Sequence, residues 1–109
     1  MKVLLDECLP KKLKHKVKAE LVKTVPEAGW AGKKNGELLR FAEVSFDVLL
    51  TNDQNMEYQQ NLKNFDLAFV VMVAPTNDIA DLLPLMPATN DTLKTIKAGE
   101  IEYIKVVSS

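Results

Sequence analysis

Two short stretches of the chain share one pattern. Val3-Leu4-Leu5 is apolar throughout and runs directly into the acids Asp6 and Glu7. Val48-Leu49-Leu50 is apolar too, and Thr51-Asn52 then leads to Asp53. Unbroken runs of this length, without polar alternation, predict strands buried on both faces, as in a parallel sheet. The most apolar run, Leu67 to Ala74, predicts another such strand. Two further strands are predicted over Glu20–Val25 and Glu100–Val107, the last with mixed charges that suit a sheet edge.

Between these runs the spacing becomes helical. Leu9, Leu13 and Val17 recur every four residues and predict a helix opened by Leu9-Pro10, with Lys11, Lys12, Lys14, His15, Lys16 and Lys18 on its other sides. A second helix is predicted over Gly36–Ser45. Asn35 is its N-cap, Glu37 sits in its first turn, and Leu38, Leu39, Phe41 and Ala42 form its buried face. Shorter helices are predicted over Gln54–Leu62, from a cap at Asp78 to Pro84, and over Ala88–Lys97.

Strands alternating with helices predict an α/β fold. The expectation is one domain over residues 1–109, with three layers. Its five-stranded, mainly parallel sheet has order 2-1-3-4-5 and helices on both faces. In that order the first and third strands are neighbours, and their carboxyl ends form the crevice where such sheets bind ligands. Asp6, Glu7 and Asp53 fall there, and the helix start at Glu37 reaches the same rim.

Composition narrows the class. Of 109 residues, 47% are apolar and 27% charged, which predicts a soluble domain with one modest core. No apolar run approaches the ~20 residues of a membrane span. Acids also come too early in the chain for a signal peptide. The single cysteine, Cys8, excludes an internal disulfide, and the one histidine leaves no structural zinc set, so a cytoplasmic location is expected. Residues 1–40 hold ten Lys/Arg and five Asp/Glu (+5). Residues 41–109 hold four and ten (−6), which sums to the net −1. A basic first half attracts nucleic acid or an acidic partner, although the same lysines also read as a solvated helix face. His15, among lysines, reads as surface. Trp30 reads as cover for the core edge, and Cys8, beside carboxylates, as an inert thiol.

Carboxylates gathered in one crevice repel unless a cation joins them. Oxygen donors without His or Cys favour Mg²⁺ or Mn²⁺, and these ions act on phosphates. The plainer reading is that Asp53 caps the next helix and Glu37 complements a helix dipole.

Leu4-Leu5-Asp6-Glu7-Cys8-Leu9-Pro10 followed by Leu50-Thr51-Asn52-Asp53 resembles the short PIN-like domains, relatives of the VapC-type toxin ribonucleases. The likeness continues through Gly29-Trp30-Ala31-Gly32 and Asn35-Gly36-Glu37-Leu38-Leu39, and covers about the first half of the chain well. It implies a metal-dependent ribonuclease site. Asp6 and Asp53 would hold Mg²⁺ or Mn²⁺, and Glu37 would be the third catalytic acid. RNA would be the substrate, with Lys11, Lys12, Lys33 and Lys34 on its backbone phosphates. The partners it implies are a small protein antitoxin and a second copy of the chain. Two residues depart from the family pattern: Asn35 and Asn55 stand where aspartates are common. An amide brings no charge, so weak metal affinity is expected. Two other readings stay open. One is a non-catalytic PIN-like interaction domain. The other is a receiver-like domain with Asp53 as phosphoacceptor, against which stand Ala74-Pro75 after the fourth strand and Val106 after Lys105.

Overall fold

In the computed structural model, which describes residues 1–33, 35–59 and 61–105, the apolar runs assemble into one five-stranded sheet. Its strands are β1 (Lys2–Leu5), β2 (Leu21–Thr24), β3 (Val48–Thr51), β4 (Ala68–Val73) and β5 (Ile101–Lys105). All pairings are parallel and the order is β2-β1-β3-β4-β5, as the alternation of elements predicts. Leu5 lies level with Thr24 on one side and with Leu50 on the other.

Strand alternation splits the core into two layers. Val3, Leu5, Val48, Leu50, Val70 and Met72 face one side, against Leu9, Leu13, Leu82, Met86 and Leu93. Leu4, Leu49 and Phe69 face the other, against Leu38, Leu39, Ala42, Phe46 and Met56. Burial on both sides is why these strands read as continuous apolar runs. The second side is covered by α1 (Asn35–Ser45) and α2 (Met56–Gln59). A 3₁₀ helix over Lys11–Lys16, α3 (Ile79–Leu82) and α4 (Met86–Leu93) cover the first.

Several local expectations change: the helix expected over Gln54–Leu62 is only Met56–Gln59 with a 3₁₀ turn at Leu62–Asn64, and the one expected over Ala88–Lys97 is Met86–Leu93. The predicted first helix is only the six-residue 3₁₀ segment, although Leu9, Leu13 and Val17 are buried as its stripe requires. It has no side-chain cap and no acid in its first turn. Its lysines at three- and four-residue spacings repel, which disfavours a longer α-helix. Asn35 is the first residue of α1 rather than the residue before it. Phe41 is not in the core: 45% of it is exposed, and its ring lies 5.7 Å from that of Trp30. Trp30 also meets Phe46 and covers the core edge as expected.

Pro84 does not end the helical segment. It lies in a 3₁₀ turn, Leu83–Leu85, that leads straight into α4, where Pro87 occupies the first turn. A proline there lacks only an N–H that would have no intrahelical partner anyway. The Asp78 cap is present, accepting from the Ala80 N–H at 3.2 Å. Of the predicted fifth strand, Val106 and Val107 lie outside the described residues.

Candidate active site at the carboxyl rim

The parallel strands carry the two acid-tipped runs to one level. Past the end of β1, the Asp6 N–H still donates to the Leu50 carbonyl at 2.9 Å, which adds a rung beyond the strand. The Asp6 carboxylate then meets Thr51, a fully buried residue at the end of β3. The Thr51 hydroxyl donates to Asp6 Oδ2 at 2.8 Å and accepts the Asp53 N–H at 3.0 Å. One hydroxyl thus joins the side chain of the first acid to the backbone of the second. By strand alternation Asp6 and Thr51 share the α1 side of the sheet with Leu4 and Leu49.

Each acid also holds its own loop. Asp6 Oδ1 accepts the Glu7 N–H at 2.8 Å. Asp53 Oδ1 accepts the Asn55 N–H at 3.0 Å, an Asx turn that leads into α2. The turn precedes α2. Among the described residues its carboxylate reaches no N–H inside that helix, and the second oxygen of Asp53 accepts no hydrogen bond. An ionised carboxylate has about four lone-pair sites, so both acids keep acceptor capacity.

Glu37 is engaged elsewhere. Its Oε1 accepts from Lys33 Nζ at 2.8 Å, and that ammonium lies 4.5 Å from the centre of the Phe41 ring. Among the described residues, no three His, Cys, Asp or Glu side chains are grouped to hold a metal ion. The donors present are the oxygens of Asp6 and Asp53. In donor chemistry they are the oxygens that a hard cation takes when it keeps most of its water, as Mg²⁺ does at sites with one or two carboxylates. They do not make a three-acid cage.

Neighbouring loops close around this pair. Glu7 Oε1 accepts the Gly32 N–H at 3.1 Å and so ties the 29–32 loop to the end of β1. Gly32 has φ +84°, a left-handed conformation that glycine adopts without strain. Across the rim, Asn77 Nδ2 donates to the Cys8 carbonyl at 3.0 Å. Cys8 Sγ lies 3.5 Å from the Thr51 hydroxyl. Burial, and then the charge of Asp6, push its thiol up, the direction that disfavours a reactive thiolate.

Of the lysines assigned to RNA, Lys11 and Lys12 are exposed, Lys33 is paired with Glu37, and Lys34 lies outside the described residues. Thr51 and Asn77 carry no role in the sequence reading. Thr51 had a signal, since it is the one hydroxyl in an otherwise apolar strand. Asn77 had none, because its bond spans 69 residues.

No family model, no curated protein and no solved structure matches this chain. What the rim can do is read from its own geometry.

Proposed function

We propose that the rim is the site of a PIN-like, metal-dependent ribonuclease, a weak one, acting as the toxin of a toxin–antitoxin pair. The observation that supports it most is the Thr51 hydroxyl, which couples Asp6 to Asp53 at the switch point of the sheet. A bound Mg²⁺ or Mn²⁺ would supply charge stabilisation at the phosphate and an activated water. Asp6 and Asp53 hold the cation, and Thr51 fixes the orientation of Asp6. Glu37 orients the attacking water when it leaves Lys33. Lys11 and Lys12 hold backbone phosphates.

The test is cleavage of single-stranded RNA by purified protein with Mn²⁺, alongside a thermal melt. Mn²⁺ should raise the Tm of the wild type by mass action, by an amount equivalent to roughly 2.7 kcal/mol at a hundredfold excess over Kd. It should leave Asp6→Asn/Asp53→Asn unchanged. Asp53→Asn should abolish cleavage while RNA binding is kept or tightened, because a negative charge leaves the crevice. Co-expression with the product of a small neighbouring gene should yield a stable complex.

The Lys33–Glu37 pair favours a second reading, a non-catalytic interaction domain. That reading takes over if neither the wild type nor Asn35→Asp/Asn55→Asp cuts RNA. A receiver-like role has less support. Thr76, the first hydroxyl after β4, donates to Asp81 Oδ2 at 2.6 Å rather than turning to Asp53.

A further inference from the structure

The carboxyl ends of the strands do not carry one sign of charge. Beside the acids, between the Lys11–Lys16 helix and the turn after β2, lies a cleft of about 360 Å³. Lys11, Lys12, Lys14, His15, Thr24, Pro26 and Glu27 line it. Glu27 is the one acid among them, and each of its oxygens already accepts a bond. Its Oε2 accepts from Lys14 Nζ at 2.6 Å and its Oε1 from the Thr24 N–H at 3.0 Å. Three ammonium groups less one carboxylate leave the lining at +2, with the His15 ring as a further N–H donor. Among the described residues no acid pairs with Lys11 or Lys12. A cleft with unanswered cations is an anion site by Coulomb's law, and donors on flexible stems suit phosphate oxygens.

Position decides what the anion belongs to. Thr24 is level with Leu5, and the Val25 N–H donates to the Leu5 carbonyl at 3.1 Å. The cleft therefore opens on the same rim as Asp6, at the next strand. From the end of β2 to the end of β3 is two strand spacings, ~10 Å. We propose that this cleft is a phosphate subsite, seating one phosphate of a single strand whose neighbouring phosphodiester lies over Asp6 and Asp53. The identity of that strand rests on the ribonuclease reading; the anion site itself does not.

The experiment has two arms. In the first, inorganic phosphate is titrated into ¹⁵N-labelled full-length protein. Amide shifts should concentrate at residues 11–16 and 24–28. They should be lost in Lys11→Ala/Lys12→Ala and should saturate at lower phosphate in Glu27→Gln, which releases Lys14. In the second arm, a labelled single-stranded RNA is bound at several salt concentrations. Lys11→Ala/Lys12→Ala should bind roughly tenfold more weakly, with a salt slope lower by roughly 1. Lys16→Ala/Lys18→Ala removes the same charge from outside the cleft and should lose much less. Equal losses in the two double variants mean diffuse attraction and overturn the subsite, as do phosphate shifts that map elsewhere. Phosphate shifts in the cleft without RNA binding overturn the strand and the proposed substrate together, and leave free phosphate as the occupant.

Discussion

Acids gather at both ends of the sheet, and they are used differently. At the amino end, Asp47 Oδ2 accepts the Lys2 N–H at 2.7 Å, and Glu43 Oε1 accepts the Asp66 N–H at 2.8 Å. Glu20 takes the terminal ammonium at 2.8 Å. Each of these carboxylates fastens backbone from a distant segment. At the carboxyl end Glu7 does the same for the Gly32 N–H, but the backbone donors to Asp6 and Asp53 are local. The long-range bond to this pair runs between side chains, from Thr51 to Asp6. A cavity of about 410 Å³ lies among Lys2, Glu43, Asp47 and Asp66, so neither a hollow nor nearby carboxylates distinguish a site from a fastening. The distinction lies in which donors the acids have already accepted.

The largest effect should come from the core beneath the carboxyl rim. Leu50→Ala should lower stability by about 2–5 kcal/mol in urea unfolding, since the side chain is fully buried. A loss under ~1 kcal/mol would mean that the strands do not set the rim. Thr51→Val comes next. It leaves the half-buried Asp6 oxygen and the Asp53 N–H without a partner and should remove about 1–3 kcal/mol. It should also erase the thermal shift with Mn²⁺. Asp47→Ala is the amino-rim counterpart, with an expected loss of about 1 kcal/mol and an unchanged response to Mn²⁺. If Thr51→Val and Asp47→Ala respond alike to Mn²⁺, the two rims are not different in kind.

The smallest effect is in acid titration. The ammonium of Lys14, and then the Thr24 N–H, pull Glu27 down to about 2. The terminal ammonium lowers Glu20 as well. Both folded values lie below the unfolded ones. Their contribution is therefore complete above the ordinary carboxylate value and fades as pH falls through the folded values. Both groups are exposed, so the change in stability is slight and screened by salt. The direct measurement is the NMR titration of the Glu27 carboxyl, which should return toward the ordinary range in Lys14→Gln.

The sheet order was legible because each buried strand is an uninterrupted apolar run, and right-handed crossovers leave few arrangements. Asp6 and Asp53 were legible for the same reason, since both end such a run. Glu37 shows the limit. Its place at the start of α1 follows from the sequence, yet a flexible lysine four residues earlier claims its carboxylate, and no periodicity predicts that choice. The short Lys11–Lys16 helix shows another. Its apolar stripe was readable, but the repulsion along its polar side, which disfavours a longer α-helix, does not show in that stripe. Asn77 and Thr51 act through bonds spanning 69 and 45 residues, which only the folded chain brings together.

The lone tryptophan gives this rim a spectroscopic handle. The Trp30 indole touches the rings of Phe41 and Phe46, and the Lys33 ammonium sits over Phe41 while it grips Glu37. A ligand that draws Glu37 or Lys33 away rearranges the charge beside that aromatic cluster and shifts the emission of the indole. Events at the start of α1 can thus be followed in the unlabelled protein by its own fluorescence.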